Sequence, residues 1–188
     1  MFRYLIIVLI ILLTQQPKSN AAEQFPQNLK IKASLSDFNY KSNKDIEKIF
    51  RENLSNFDNI AYTTIPMGVV VSINGYLFYD EGKDKLKENA FGILDIIARL
   101  IKNLDKPCLI ESNTTSKSFE KSDYMSNWEL SIVRANGIVN YLISKEIAST
   151  KIRANGFGEM IPFYNENNNQ MQERIDFVIF NYEDNFRQ

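Results

Sequence analysis

Residues 126–143 read SNWELSIVRANGIVNYLI, and the spacing of their apolar side chains predicts a helix over about 126–145, capped by Ser126 or Asn127. At roughly 100° per residue with Leu130 at zero, Tyr141 falls near 20°, Arg134 near 40° and Ile138 near 80°. Glu129, Asn136, Asn140 and Ser144 gather on the opposite side. Arg134 therefore stands on the apolar stripe. A guanidinium there is costly unless it finds an anion or several acceptors. Its rigid fork also grips carboxylates in two-point fashion. Three readings stay open on pattern alone: a carboxylate-binding site, an internal ion pair, or an arginine that reaches past its neighbours to water.

The neighbouring segments fall into place around this helix. Leu86, Ala90, Ile93, Leu94, Ile97, Ile101 and Leu104 recur at helical spacing and predict a second helix over 83–103, with Pro107 close behind it. Residues 108–112, CLIES, read as a strand, and the Ser/Thr/Lys-rich stretch 113–123 as a loop. Residues 151–154 form another strand, with Gly156 and Gly158 punctuating its end. The Asn/Gln-rich stretch 164–172 reads as a loop, 174–181 (RIDFVIFN) as the last strand, and 186–188 as a tail. Upstream, 67–79 (MGVVVSINGYLFY) gives two strand segments around Asn74-Gly75 or one bent strand. Ile46, Ile49, Phe50 and Leu54 predict a short helix over 46–57, capped by Asn43 or Asp45. Before it lies a polar stretch with one short strand at 29–33. The resulting order, β–α–β–α–β–β, implies an α/β (α+β) two-layer sandwich over 65–182, preceded by a 22–64 linker carrying the short helix and followed by a tail over 183–188.

Composition narrows the function. With 44% apolar and 24% charged residues and a net charge of −1, the 188-residue chain is globular in type and shows no basic patch for nucleic acid. It has no histidine and a single cysteine, Cys108, whose apolar setting reads as a small buried hydrophobe. Neither a metal site, nor a cofactor motif, nor a catalytic constellation emerges, so a non-enzymatic role is expected.

Residues 1–21, MFRYLIIVLIILLTQQPKSNA, carry Arg3, an apolar run from Tyr4 to Leu13, and small residues at Ser19 and Ala21. This is the anatomy of a cleaved signal peptide, with the mature chain beginning near Ala22. The run is about half the length a spanning helix requires. The expected location is the periplasm, with outer-membrane attachment left open.

Four separated motifs now carry a resemblance. Asn127, Leu130, Ser131, Arg134 and Ala135 match an N-x-x-L-S-x-x-R-A pattern. Ile152, Gly156, Phe157, Gly158, Glu159 and Pro162 match R-[LI]-x-x-x-G-[YF]-G-E-x-x-P. Asp80, Gly82, Leu86 and Ala90 match F-D-S-G-x-x-x-L-x-x-x-A, and ERIDFVI is similar to a closing N-R-R-V-E-[IV]-x-[IV]. Over about 67–180 the chain resembles the OmpA/MotB/Pal family of peptidoglycan-binding domains.

The resemblance implies non-covalent binding of the peptidoglycan stem peptide in the cell envelope, through the carboxylate and amine of diaminopimelate. Arg134, with Asn127, is implied at the carboxylate and Thr114 at the adjoining strand end. The family's amine-binding Asp is replaced by Thr115, and the first Arg of the closing motif by Glu173, while the second is kept as Arg174. Glu173 is the replacement carboxylate on this reading. Other envelope proteins and a second copy of the chain are further candidate partners. A flagellar stator subunit would need a longer apolar segment bearing an acid, and an outer-membrane barrel would leave no room for the domain. The alternative from another class is an envelope protein-interaction module that keeps the fold without the ligand.

Overall fold

The computed structural model describes residues 42–159 and 173–181. Helix α1, Asn43–Asn53, begins where the Ser42 hydroxyl accepts the Asp45 N–H, so the cap lies one residue before the expected Asn43. Its stripe of Ile46, Ile49 and Phe50 is fully buried. Each such side chain contributes about 1.5–3 kcal/mol on leaving water. Strands β1 (Ile60–Ile65) and β2 (Gly68–Asn74) form an antiparallel hairpin paired along its length. The sheet begins at Ile60, inside the 22–64 stretch whose pattern predicts a linker with a short helix. The second expected strand segment, after Asn74-Gly75, is instead a 3-10 turn over Gly75–Leu77. There the Asn74 side chain accepts the Tyr76 N–H and curls the chain away from the sheet.

Helix α2 spans Ala90–Leu104, shorter than the expected 83–103 at its start. Residues 80–89 are held otherwise. Gly82 has φ +74°, Lys87 N–H donates to Phe78 O, and Tyr79 bridges Leu86. Strand β3 (Cys108–Asn113) follows, then a short helix α3 (Ser116–Glu120) within the expected loop. The Thr115 hydroxyl caps α3 by accepting the Ser118 N–H at 3.2 Å. Helix α4 is Asn127–Ser144, capped by Ser126. Strand β4, Ile152–Gly158, runs through both glycines rather than ending before them. Strand β5 is Arg174–Phe180.

The sheet has five strands in the order β1-β2-β5-β3-β4, with only β3 and β4 parallel. Val69, Val71, Ile73, Ile175, Phe177, Ile179, Cys108 and Ile110 share one face by register and are buried. Phe78 meets Phe177 there at 6.1 Å between ring centroids. Helix α4 lies against β4 so closely that a Cβ on Gly156 would stand 2.5 Å from Ile132 N. Cys108 is buried and free, as its apolar setting suggested, and burial pushes its thiol pKa up. Helices on a sheet whose register sets one apolar face make the expected two-layer α/β architecture. The expected signal peptide, the strand at 29–33, the loop at 164–172 and the tail lie outside the described residues.

Candidate functional site

Arg134 sits in the middle of α4 and is one of the largest fully buried side chains. Its fork is held from three sides. Nε donates to Lys83 O at 2.7 Å, and Nη2 donates to Asp80 O at 2.9 Å. Nη1 donates to Glu173 Oε1 at 2.7 Å. The Tyr79 ring lies 5.0 Å from the guanidinium carbon, and its hydroxyl donates to Arg134 O at 2.6 Å. Burial pushes the Tyr79 phenol pKa up, against the opposing pull of the Arg134 charge. Two backbone carbonyls thus orient the fork, and the single charged group it meets among the described residues is a carboxylate. Such a fork matches the geometry of a carboxylate, here one supplied by the chain itself.

Glu173, just before β5, is fixed through its own backbone, because Gly75 N–H donates to Glu173 O at 2.9 Å. Its second carboxylate oxygen accepts the Thr115 hydroxyl at 3.2 Å. The side chains of Arg134 and Glu173 are 1% and 2% exposed. Of the three readings left open for Arg134, the structure displays the internal ion pair.

Thr114 and Asn127 form a separate brace. The Thr114 hydroxyl donates to the Asn127 side-chain oxygen and lies 3.0 Å from Asn127 O, joining the end of β3 to the first turn of α4. Arg174 stands apart from Arg134. Its Nε donates to Asp176 Oδ2 at 2.9 Å, two residues along β5 on the same face of the strand. Asn113 also donates to Asp176, at 3.2 Å. The structure therefore brings together Arg134, Thr115 and Glu173, keeps Thr114 and Asn127 as a brace, and places Arg174 in another cluster.

Sequence pattern missed the carbonyls of Asp80 and Lys83, because backbone acceptors leave no mark on side-chain spacing. It also missed the rim. Tyr76 is 46% exposed, and its phenol pKa is raised by burial and then by the nearby Glu173 charge. Glu81 pairs with Lys117 at 3.0 Å and with Lys121, and both ammonium groups lower its carboxyl pKa. Among the described residues no group of side chains is arranged to hold a metal ion, and no helix is long and apolar enough to cross a membrane.

Comparison with known proteins agrees with this architecture. A profile of the OmpA family matches residues 78–176. The uncharacterised protein YtxE of Bacillus subtilis (strain 168) is 34% identical over 116 residues, 60% of this chain and 48% of that protein. The chain thus spans about half the length of this curated relative. A MotB-like protein from Desulfovibrio vulgaris superposes with a TM-score of 0.64 at 18% identity, over 76% of this chain and 93% of that one. The cell wall anchor of the type VI secretion system (T6SS) from Pseudomonas aeruginosa superposes with a TM-score of 0.57 at 18% identity, over 72% and 97%. At these identities the structural matches speak for the fold.

Proposed function

The chain belongs to the OmpA family, and from that premise we propose that it is a non-enzymatic, peptidoglycan-associated anchor of the cell envelope in which Arg134 takes a carboxylate of the stem peptide. One observation carries this reading: a buried arginine whose fork is oriented by two main-chain carbonyls and whose only charged partner among the described residues is a carboxylate oxygen at 2.7 Å. A point charge alone would need no such orientation, whereas recognition of a planar carboxylate does. The domain works outside the cytoplasm on this reading, where peptidoglycan lies. The solved cell wall anchor with the same fold is in keeping with that role.

The test is co-sedimentation with purified sacculi. Removing one member of a buried ion pair costs about 3–5 kcal/mol, so Arg134→Ala alone would confound binding with folding. The paired variant Arg134→Met/Glu173→Leu avoids that strain. It is expected to keep the far-UV spectrum and cooperative melting and to lose sedimentation. Failure of the intact protein to sediment refutes the reading.

A second reading draws on the same pair. Since Arg134 is already neutralised within the chain, the domain keeps the fold and binds other envelope proteins instead. Met125 and Trp128, 92% and 58% exposed at the start of α4, supply an apolar contact surface for it.

A further inference from the structure

We infer that Glu173 is an internal stand-in for the ligand: its carboxylate occupies the Arg134 site and must swing out before an external carboxylate can enter. This rests on the reading of Arg134 as a carboxylate receptor and adds a lock to it. The geometry is that of a filled site. Both Glu173 oxygens are engaged, Oε1 by Arg134 Nη1 at 2.7 Å and Oε2 by the Thr115 hydroxyl at 3.2 Å. Both charged side chains are almost wholly out of water, so an outside carboxylate has no approach to the fork while Glu173 is in place.

The surroundings fit a side chain that can leave. Glu173 is attached to the fold by its backbone, through Gly75 N–H, so its side chain can swing out without unzipping β5. A Cβ on Gly75 would stand 2.8 Å from Glu173 Cγ, so a side chain at position 75 would crowd the stem of the lock. Tyr76 and Lys117 are both near enough to Glu173 to feel its charge. Arg134, by contrast, has two main-chain anchors besides Glu173, Lys83 O and Asp80 O.

Exchange of one carboxylate for another at a preformed fork is nearly balanced in hydrogen bonds. Affinity for an external ligand is therefore reduced by the fraction of molecules in which Glu173 has left. The ligand class is the small carboxylate at the end of the stem peptide.

The experiment uses the full chain with Glu173→Ala, and acetate as the probe. Thermal melting is followed in 50 mM sodium acetate and in sodium chloride of equal ionic strength. Acetate is expected to raise the Tm of Glu173→Ala, refilling the vacated place, and to leave the wild type unmoved. Sacculus affinity of Glu173→Ala is expected to rise about tenfold or more, the gain from no longer displacing a charge-assisted bond. If the alanine variant does not fold, Glu173→Gln, which still fills the place but with a neutral oxygen that is easier to displace, is read by sacculus affinity alone, expected to rise; an unchanged affinity in a folded Glu173→Gln then overturns the inference. A folded Glu173→Ala with no acetate response overturns the inference. Wild-type sedimentation that disappears in Arg134→Met/Glu173→Leu would then leave the anchoring reading standing. Acetate rescue without any sedimentation supports the lock and refutes peptidoglycan as the ligand.

Discussion

Gly156 on β4 and Ile132 on α4 touch backbone to backbone, with no space between them for a side chain. An added Cβ would lie 2.5 Å from Ile132 N and 2.8 Å from Ile132 Cα. Backbone cannot yield as a flexible side chain can, so α4 would have to lift from the sheet. Gly156→Ala is expected to cost about 1–3 kcal/mol in urea unfolding and Gly156→Val more. An unchanged midpoint for Gly156→Ala would show that the helix moves freely over the strand.

Tyr79 presents a finer test. Its hydroxyl donates to Arg134 O at 2.6 Å while its ring lies by the guanidinium. Tyr79→Phe keeps the ring and deletes the hydrogen bond. A loss of about 0.5–1.5 kcal/mol in stability is expected, with sacculus sedimentation retained. Loss of sedimentation at full stability would show that the hydroxyl serves the ligand and not the helix.

A pH dependence comes from the other face of the sheet. Glu111 faces Asp176 across the β3–β5 ladder. Burial, and then the Asp176 charge, push the Glu111 carboxyl up from 4.5 to about 7. Burial also raises Asp176, against the pull of Arg174. The folded state thus holds the Glu111 proton more tightly than the unfolded state. Its contribution to stability is full below pH 4.5 and is lost as pH rises through about 7. Glu111→Gln is expected to melt above wild type at pH 8 and to converge with it near pH 4.5. Parallel melting curves at the two pH values would refute this.

Thr115 and Glu173 depend on each other. With the threonine hydroxyl 3.2 Å from Glu173 Oε2, an aspartate at 115 would bring a second carboxylate against the first. Thr115→Asp alone is expected to destabilise, and Thr115→Asp/Glu173→Gln to recover much of the loss. The coupling should be on the order of 0.5–3 kcal/mol in a double-mutant cycle. Additive effects would mean the two side chains do not meet in solution.

Much of this was legible in the sequence, for physical reasons that differ by element. Arg134 stood out because a charge on an apolar stripe demands a partner, and Glu173 because it replaces a basic residue in a recurring motif. The pairing of the two could not be read, since it depends on how the start of β5 lies beside α4. The predicted start of helix α2 lies too far back because Leu86 continues its periodicity. The backbone at 80–89 is committed elsewhere, with two of its carbonyls turned to Arg134. Strand β1 escaped notice because Thr63 and Thr64 are exposed near its end and blur the alternation that marks a half-buried strand. Thr115 was read for its missing charge, whereas its hydroxyl is used both in capping α3 and in holding Glu173.

The position of β5 bears on how the molecule comes to exist. It is the last described strand to leave the ribosome, and it is the middle strand of the sheet, with β2 on one side and β3 on the other. Until residues 174–180 arrive, the described strands can pair only as two separate ribbons, β1–β2 and β3–β4, each with an unpaired backbone edge where β5 will lie. Closing the sheet joins residues 68–74 to residues 174–180, a contact of long sequence separation and hence a slow one. Nascent chains short of this strand are exposed to aggregation, and chaperone protection matters most in the interval before it is made.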